Sequence, residues 1–568
     1  MNEERIVRVV TDVAAVDKAF DYLAPVGSDI GLGDRIRVDF HGRSVRGWVV
    51  DLDVPNEGRV LKTIKKRAGY GPPAQLFDTL RWASTHYVTP LSRALAAASS
   101  DRNVLALPNV PVKPPVEVSE EFAPGVWTLA PNRDPLPLIL SAYSATRNNE
   151  GTLLVLVPTE GWAERVTSRL VRRGLPAVTL AQDWPAARAG WPIVVGTRNA
   201  CFAPSPALAG AVVIDADDEA FISEASPTWE APRIVAERCR REGVPVWMTS
   251  PLPSPTLLAV ASPHHSDDDL VGLWPHIEVV DRRHSDPRDG ALSQESLRWV
   301  HRAFHDGREG VRVAVILQRL GAGKLLACRQ CGTLCRCAVC HEPEHEIDGA
   351  LTCAAGHETR EAFCRECGAT RPRVVRSGVT TLARDVALQL GRKVVEVTAS
   401  TTAIPEDATV VVGTEAVFRL VRHTGVVVFV DFDQYLLGHR ERARRDAIYA
   451  VAKAGRMVGA RRAGDGRVVV QTRRGDDDVI SALTTVSFEE VSLREIETAR
   501  VLELPPFRAM AEIGGAVGGP YAAALREAGV DVRESGAGWC VVAASHDELR
   551  DLLSRAPRPP GAMRLAIR

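Results

Sequence analysis

The stretch GTLLVLVP, residues 151–158, is a short apolar run bounded by a glycine and a proline. Similar runs follow along the chain: WPIVVGTR (191–198), GAVVIDADD (210–218) and VPVWMTSP (244–251). Strands that are apolar along their whole length are typical of parallel sheets that are covered by helices on both faces. The sequence therefore predicts a parallel α/β lobe over residues 120–265.

The same pattern recurs in the second half of the chain, which indicates a second lobe of the same kind. Its candidate strands are VRVAVIL, KVVEVTAS, TVVVGTE, GVVVFVDFD and GRVVVQTR. IVVGTRNA (193–200) is echoed by VVVGTEAV (410–417), which fits two related lobes. We expect the second lobe to span residues 266–325 and 371–485, with an insert at 326–370.

The N-terminal region has a different pattern. Residues 35–50, RIRVDFHGRSVRGWVV, alternate apolar with polar residues and reverse at His41-Gly42, which predicts a half-buried β-hairpin with arginines on its wet face. A helical stretch is expected from about Ala74 to Ala98, before a proline-rich linker at 107–119. Residues 1–106 then form a β-rich domain, and 486–568 form a small α+β domain.

Composition and charge limit the class of protein. Of 568 residues, 45% are hydrophobic and 25% charged, as expected for a soluble multidomain chain. The start MNEERIVRVV has charges before any apolar run, and we expect a cytoplasmic protein with no membrane span. The net charge is −1, but nine Lys and Arg against four acids at 35–67, and eleven against three at 440–474, indicate anionic partners at both segments.

Eight of the 11 cysteines lie between residues 328 and 367. Three CxxC pairs can each place two thiolates on one metal ion, and tetrahedral zinc takes four ligands, so six ligands indicate two ions. Cys353 and His357 are the nearest candidates for the remaining two positions, with Cys335, His341 and His345 in reserve. Buried unliganded cysteines, which this spacing disfavours, and disulfides, which a reducing cytoplasm disfavours, are the alternatives. We expect structural sites that supply the insert's folding free energy.

Several motifs in this order resemble those of the primosomal replication-restart proteins, the PriA family. Cysteine knuckles interrupt the second lobe after VILQRLGAGKLLACRQCG, and the resemblance covers nearly the whole chain. It is carried by VDKAFDYLAP (16–25), GDRIRVDFHGR, LKTIKK, VVGTRNACFAP, VVVGTEAV, DFDQYLLGHRERARRDAIY, AKAGRMVG, VVVQT and ELPPFRAMA. The resemblance implies two RecA-like helicase lobes, a β-rich N-terminal domain that binds DNA, an inserted zinc-knuckle domain and a small C-terminal domain.

The resemblance also implies how the zinc ligands pair. The first knuckle joins the last at one ion, and the middle residues hold the other. The family's eighth cysteine falls at Gly356, which has no ligand atom, and His357 is our substitute. The implied ligands are Cys328, Cys331, Cys364 and Cys367 for zinc one, and Cys337, Cys340, Cys353 and His357 for zinc two.

A pocket for the 3′ end of a DNA strand is a further implication. In it an aromatic wall faces the terminal base, a carboxylate accepts from the free 3′ hydroxyl, and cations contact phosphate. Without the resemblance, the aromatic residues would be read as ordinary core residues. The implied residues are Phe20, Asp21 and Tyr22 in the pocket, Lys62 at a nearby phosphate, and Arg43 and Arg46 on the backbone.

The chain departs from the family where nucleotide should bind. TLAPNRDPLPLIL, residues 128–140, stands in place of the phosphate loop and has neither the glycines nor the lysine that cradle a triphosphate. In IDADDEAF, Asp215 is kept, but Ala216 replaces the glutamate that activates water. Arg456 is retained as a candidate finger residue. These departures predict a helicase-shaped protein without ATPase activity, which binds neither ATP nor magnesium productively.

The resulting hypothesis is a replication-restart protein that recognises stalled or branched forks and directs primosome assembly. Its expected partners are branched DNA with a free 3′ end, helicase-loading or primosome proteins and single-stranded-DNA-binding protein, and it would act as a monomer in the nucleoid. The arginines of 440–474 would form a second surface that faces phosphate. An active ATP-dependent 3′-to-5′ helicase and a zinc-dependent scaffold without DNA binding are the alternatives.

Overall fold

The computed structural model describes residues 1–568 except 1–4, 14–17, 57, 59, 224–227, 284, 286–289, 306–308, 319–325, 329, 332, 334, 339–343, 348, 354–357, 371, 375–378, 437–441, 465, 536–537, 560 and 562. The chain forms two compact units. One contains Met1–Thr128, Asp134–Ser266 and Ile496–Arg568, and the other contains Leu129–Arg133 and Asp267–Glu495. In the described residues, no helix is long and apolar enough to cross a membrane.

The N-terminal domain is built on a five-stranded antiparallel sheet in the order β2-β1-β4-β3-β5. The predicted hairpin is confirmed, since β3 and β4 pair across His41-Gly42 with Phe40 opposite Arg43. Val7, Val9 and other buried residues form the core on one face of this sheet. The strands are β1 (Ile6–Thr11), β2 (Ala19–Leu23), β3 (Arg35–Phe40), β4 (Arg43–Leu52) and β5 (Lys66–Gly69).

One expectation about this hairpin is wrong. Arg35 does not lie on the wet face: it is 5% exposed, and its Nη1 donates to the carbonyl oxygens of Ser100 (2.5 Å) and Arg102 (2.9 Å). The register between β3 and β5 shifts between Arg35 and Ile36, so simple alternation does not hold at this end of the strand.

The helical stretch predicted from Ala74 to Ala98 is divided in two. α1 (Phe77–His86) and α2 (Leu91–Ala97) are separated at Pro90, which has no N–H to continue a helix and precedes the first residue of α2. Residues 107–115 contain no helix or strand. The Lys113 ammonium donates to the carbonyl of Asn149 at 2.7 Å, which attaches the proline-rich segment to the following lobe.

The first predicted parallel lobe is confirmed as a seven-stranded sheet in the order β12-β6-β11-β10-β7-β9-β8, in which every pairing is parallel. The strands are β6 (Gly125–Thr128), β7 (Thr152–Leu156), β8 (Ala177–Thr179), β9 (Ile193–Gly196), β10 (Leu208–Val213), β11 (Val246–Ser250) and β12 (His264–Ser266). The helices are α3 (Leu136–Thr146), α4 (Glu160–Val171), α5 (Trp184–Ala189), α6 (Ala231–Glu242) and α7 (Pro255–Val260).

The second lobe is also confirmed: its six strands are all parallel, in the order β13-β23-β22-β14-β21-β20. The insert forms two small antiparallel sheets, β15-β19 and β16-β17-β18. In chain order the elements are α8 (Leu270–Leu273), β13 (His276–Asp281), α9 (Gln294–His305), β14 (Val313–Ile316), β15 (Leu326–Cys328), β16 (Glu344–Ile347), β17 (Ala350–Cys353), β18 (Thr359–Glu361), β19 (Pro372–Val374), α10 (Val379–Leu390), β20 (Val395–Val397), β21 (Val410–Gly413), α11 (Ala416–Leu420), β22 (Val426–Phe429), α12 (Asp433–Leu436), α13 (Ala443–Val458), β23 (Arg467–Thr472) and α14 (Asp478–Thr485).

The C-terminal segment is an α+β domain, as predicted. Its four-stranded antiparallel sheet has the order β25-β26-β24-β27. The elements are α15 (Glu489–Val501), β24 (Ala509–Gly514), α16 (Gly518–Glu527), β25 (Arg533–Ser535), β26 (Gly538–Ala543), α17 (His546–Ser554) and β27 (Arg564–Ile567).

Candidate metal centre and nucleic-acid interface

Four cysteines of the insert converge at one point. The Sγ atoms of Cys328, Cys331, Cys364 and Cys367 all lie within 4.8 Å of one another. Cys328 Sγ is 3.4 Å from Cys367 Sγ, and Cys331 Sγ is 3.5 Å from Cys364 Sγ. The first and last CxxC pairs, 33 or more residues apart, therefore form one cluster.

Short backbone contacts hold each knuckle in place. Cys328 ends β15, and the amide of Gln330 points to its sulfur at 3.3 Å. In the last knuckle, Cys364–Cys367, the amide of Gly368 donates to the carbonyl of Cys364 at 2.9 Å. Gly368 has a φ of +73°, which favours glycine. These turns direct both sulfurs of each pair to the same side.

The cluster fits a zinc ion. Tetrahedral zinc binds thiolate at about 2.3 Å, which separates neighbouring sulfurs by about 3.8 Å, close to the separations seen here. The Thr333 hydroxyl, 3.2 Å from Cys331 Sγ, lowers the pKa of that thiol to about 6, which favours the thiolate that binds metal. Four thiolates complete the coordination, so the ion would be structural.

The second predicted zinc site is described only in part. Cys337 and Cys353 are both buried, at 0% and 2% exposure. Cys340 and His357 lie outside the described residues, as do Gly356 and His341, so this ligand set stays a prediction. The reserve ligand Cys335 is buried in a small apolar cluster with Leu326 and Leu351, and burial raises the pKa of its thiol.

A buried ion pair supports the same insert. Glu344 has no exposed side-chain surface, and its carboxylate accepts from Arg360, with Nε to Oε1 at 2.8 Å. The amide of Glu344 donates to the carbonyl of Cys335 at 3.0 Å. With so few apolar residues, the insert relies on this polar network together with the metal ligands.

The three consecutive residues of the predicted DNA-end pocket do not share one face of β2. Phe20 and Tyr22 pair with Val9 and Val7, which are buried in the core of the sheet. Asp21 lies between them, and side chains alternate along a strand, so its carboxylate points to the opposite face.

Asp21 is engaged on that opposite face by Arg8. The guanidinium Nε of Arg8 donates to Oδ1 of Asp21 at 2.8 Å, and its Nη2 is 3.4 Å from Oδ2. The Asp21 side chain is 19% exposed and that of Arg8 is 41% exposed, so this cross-strand pair is partly open to solvent. The structure therefore separates the predicted carboxylate from the predicted aromatic wall.

Phe20 has other aromatic neighbours. Its ring meets Phe40 edge-on with centroids 5.1 Å apart, and Phe40 meets His41 edge-on at 4.5 Å. The Tyr22 hydroxyl donates to the carbonyl of Asp39 at 3.0 Å, which leaves Tyr22 buried against the tip of the β3–β4 hairpin. Burial, followed by the charge of Asp39, raises the pKa of Tyr22.

Lys62 is held by a carboxylate that the sequence analysis did not select. Its Nζ donates to Asp39 Oδ1 at 2.6 Å, and Lys65 Nζ lies 3.5 Å from Asp39 Oδ2. The amide of Gly42 also donates to Asp39 Oδ1 at 3.2 Å, which closes the hairpin turn. The hydrogen bond from Lys62, followed by that from Gly42, lowers the pKa of Asp39.

Sequence analysis thus missed Asp39, Phe40 and Lys65. A signal was present for Phe40, because it continues the inward alternation of Ile36 and Val38 on β3. The position of Asp39 just before His41-Gly42 is also typical of a side chain that caps a turn. No local pattern places Lys65 beside Asp39.

The two predicted backbone-contacting arginines lie on the hairpin. Arg43 is exposed at the start of β4, directly opposite Phe40. Arg46 is also exposed, and its Nε lies 3.7 Å from a carboxylate oxygen of Asp12. Both are open to solvent on the domain that carries Lys62.

Residues 129–133, where a phosphate loop was expected from the resemblance, form hydrogen bonds with other residues of the same compact unit. Leu129–Arg133 belongs to the second compact unit, where the Asn132 amide Nδ2 donates to the carbonyls of Leu273 (3.1 Å) and Gly455 (3.2 Å). Arg456 Nε donates to the carbonyl of Pro131 at 3.0 Å.

The acidic residues at the end of β10 are also engaged. Asp217 Oδ2 accepts the amide of Ser254 at 2.9 Å, and Asp218 Oδ1 accepts the amide of Ala220 at 2.9 Å. Asp215 is 4% exposed, with a φ of +56° that is uncommon outside glycine.

The basic segment 440–474 differs from the expected phosphate-facing surface. Arg440 lies outside the described residues. Arg445 is 1% exposed and forms an ion pair with Glu495, so it is a core residue. Other arginines of the segment also have carboxylate partners: Arg444 with Asp477 and Asp478, Arg462 with Asp269, Arg467 with Glu278, and Arg474 with Asp477.

The chain is similar in sequence to proteins of known families. The family described as the PriA 3′DNA-binding domain (3′BD) matches residues 8–100. The probable replication restart protein PriA of Mycobacterium leprae is 26% identical over 579 residues, covering 89% of this chain and 87% of that protein. Its counterpart from Mycobacterium tuberculosis (strain CDC 1551 / Oshkosh) is 27% identical over 582 residues, covering 89% and 86%.

Among solved structures, a DEAD box protein from the hyperthermophile Methanococcus jannaschii is 11% identical. The similarity covers 64% of this chain and 85% of that chain with a TM-score of 0.28, which is too low to bear on the fold.

Two parallel sheets, a β-rich N-terminal domain and a four-cysteine cluster inserted in the second lobe define a multidomain α/β protein with a candidate metal centre. Over most of its length, the chain is similar to proteins named as probable replication restart protein PriA, and its N-terminal residues match the PriA 3′DNA-binding domain.

Proposed function

We propose that this chain is a DNA-binding replication-restart protein that recognises stalled or branched forks by a free 3′ strand end and directs primosome assembly without helicase activity. The observation that carries the proposal is the engagement of Leu129–Arg133 by the second unit, at the position where a motor protein of this family would bind triphosphate. In this proposal, the N-terminal domain binds DNA, and the first parallel lobe does not hydrolyse ATP.

DNA binding is supported by the family match at residues 8–100 and by the names of the full-length relatives. Phe20 and Phe40 provide aromatic surface on which a base can stack, and Lys62, paired with Asp39, provides a cation on the same domain. Arg43 adds an exposed cation at the hairpin tip. In this proposal the strand end lies at the hairpin tip, with phosphate at Lys62.

Loss of ATP hydrolysis is supported by the chemistry of the replaced loop. A phosphate loop binds triphosphate with free backbone amides, and a lysine neutralises the β and γ phosphates. Residues 128–140 have three prolines, which donate no amide, and neither glycine nor lysine. The side chain of Asn132 and the carbonyl of Pro131 are used in contacts with the protein itself.

The acidic motif supports the same conclusion. Ala216 has no group that could orient or deprotonate a water molecule. A shifted register in which Asp217 or Asp218 takes that role would cost the backbone hydrogen bonds that both carboxylates accept. We therefore expect no productive Mg²⁺ and ATP chemistry in this lobe.

The zinc-bearing insert is the part that we assign to protein partners. Cys331 and Cys367 are exposed at the candidate metal centre, so this surface is accessible to a partner. We propose that helicase-loading proteins, other primosome components and single-stranded-DNA-binding protein meet the chain here or on neighbouring surfaces. The protein would act as a monomer in the cytoplasm, associated with the nucleoid, with a second zinc ion at Cys337 and Cys353.

The proposal is tested by measuring ATP turnover and fork binding with the same purified chain. We expect tight binding to forks with a 3′ hydroxyl at the branch, and phosphate release at the background rate that Asp215→Ala leaves unchanged. Turnover stimulated by forked DNA and abolished by Asp215→Ala would instead establish the alternative, an active 3′-to-5′ helicase.

The end pocket is tested with separate variants, because Asp21 faces away from Phe20. A Phe20→Ala, Lys62→Ala double variant is expected to lose the preference for a 3′ hydroxyl over a blocked end, and Arg93→Gln, an exposed change on α2, is the charge control. Asp21→Ala alone shows whether the carboxylate on the opposite face takes part. Equal binding by the wild type and the double variant would contradict the pocket.

A further inference from the structure

The outer face of the N-terminal sheet carries three cations side by side. Arg37 on β3 is the direct cross-strand partner of Lys66 on β5 and of Arg46 on β4. Lys66 and Arg46 are exposed, and Arg37 is half-buried. Ile36 and Val38, on either side of Arg37, are fully buried, so Arg37 points away from the core.

This arrangement is electrostatically unfavourable in the isolated protein. Like charges that are directly opposite on neighbouring strands destabilise a sheet. In the part of the chain that the structure describes, neither Arg37 nor Lys66 has a carboxylate partner, and Arg46 has Asp12 only at 3.7 Å. The same field acts on the buried Arg35, whose pKa is lowered by burial, then by Arg46 and further by Arg37.

We propose that Lys66, Arg37 and Arg46 form a track for the sugar-phosphate backbone of a DNA strand. Neighbouring strands lie about 4.8 Å apart, so the row is about 10 Å long. One strand of a duplex presents a phosphate about every 3.4 Å of helix axis, so a row of this length meets successive phosphates rather than one small anion. A polyanion removes the repulsion that the three cations otherwise impose on the sheet.

The track leads to Lys62, the phosphate contact of the proposed function, on which this inference rests. Side chains two residues apart on a strand share a face, so Asp39 follows Arg37 on the outer face of β3. Asp39 contacts both Lys62 and Lys65. The row therefore continues into a second group of cations at the hairpin tip, and a strand whose last phosphate lies at Lys62 can place earlier phosphates on the track.

The inference is tested by the salt dependence of DNA binding. Arg37→Gln, Lys66→Gln and their double variant are compared with Arg93→Gln, which removes one exposed charge from α2 of the same domain. The probe is a labelled circular single strand, which has no end to occupy the pocket. Each track substitution is expected to reduce the slope of log K against log salt by about 0.7, and the double variant by about 1.4.

A stability measurement separates this role from a structural one. Because Arg37→Gln relieves repulsion between neighbours, its thermal unfolding midpoint is expected to equal or exceed that of the wild type while DNA binding weakens. Slopes that match those of the wild type and Arg93→Gln would overturn the track. If the track variants reduce the slope of log K against log salt as expected, but the wild type shows no preference for 3′-ended DNA, the end pocket is contradicted and the track is supported.

Discussion

Arg456 donates a hydrogen bond from Nε to the carbonyl oxygen of Pro131 at 3.0 Å, across 325 residues of sequence. The arginine belongs to α13, and the proline belongs to the segment 128–140, which has neither glycine nor lysine. Gly455, beside Arg456, leaves room for this contact, since a side chain there would lie 2.9 Å from Pro275 and 3.6 Å from Pro131. Arg456 therefore joins two segments that are distant in sequence.

Arg456→Ala is expected to lower stability without changing ATP turnover. Removing a charged donor from a carbonyl costs about 1.5–3 kcal/mol, which should appear as a lower urea midpoint. Arg462→Ala, which removes an exposed ion pair with Asp269, is the control and should cost under about 1 kcal/mol. The structural role would be refuted by unchanged stability together with a loss of DNA-stimulated hydrolysis.

Cys364→Ser is expected to remove one zinc ion per chain and to unfold the insert. The ligand is 93% buried and cannot be replaced by a neighbouring thiol of the same cluster, and apparent zinc binding energies of about 10–16 kcal/mol make such a fold depend on its metal. Elemental analysis gives the count, and hydrogen exchange localises the unfolding. Cys540→Ser in the C-terminal domain is the matched control. A zinc content that does not change would rule out this ligand set.

Asp39→Asn is expected to tighten DNA binding about threefold to tenfold. The carboxylate competes with phosphate for Lys62 and Lys65, and exposed ion pairs of this kind contribute about 0.2–1 kcal/mol each. Asparagine keeps an oxygen for the amide of Gly42, so the turn should survive. Fluorescence anisotropy with forked DNA measures the effect. Asp53→Asn, at an exposed left-handed position that tolerates asparagine, is the control. Weaker binding by Asp39→Asn would show that Asp39 contacts the strand end directly.

Acidification is expected to destabilise the contact between α1 and α17. The rings of His86 and His546 are in contact, with centroids 3.9 Å apart and planes tilted by 38°; Arg233 lies beside them, and Asp547 is also near. Burial, then neighbouring positive charge, lowers the pKa of His86 to about 2 and that of His546 to about 4. The folded histidines stay neutral while unfolded ones take up protons below about pH 6.5, so stability is lost as the pH falls from there.

Between pH 7 and pH 5, His86 alone would account for about 2 kcal/mol of lost stability. Urea unfolding at several pH values measures this loss. Because the lowered pKa of His546 contributes a similar loss, His86→Phe should reduce the dependence by about half, whereas His301→Gln, at an exposed position on α9, should leave it unchanged. A pH dependence as large in His86→Phe as in the wild type would assign the effect to other groups.

Some features were predictable because their cause is local. Strands covered on both faces need apolar residues at every position, so β7, β9, β14 and β22 are visible as continuous runs. The CxxC spacing likewise determines that two sulfurs can reach one ion, whatever surrounds them. The first zinc cluster and both parallel lobes follow from such patterns.

The DNA-end residues were harder to predict, because their grouping depends on which strands are neighbours. Strand alternation alone could have placed Asp21 opposite Phe20 and Tyr22. The pairing of Lys62 with Asp39, 23 residues earlier, depends on how the segment after β4 returns to the sheet edge. The cation row of Lys66, Arg37 and Arg46 depends on the registers of β3 with both of its neighbours.

The sequence by itself determined the two α/β lobes and the four-cysteine cluster, because each depends on residue types at short spacing. Only the tertiary structure decided that Asp39 contacts Lys62, that Arg35 is buried, and that Arg456 contacts Pro131. Those contacts join distant segments, and their geometry is set by sheet register and side-chain packing, which no local pattern encodes.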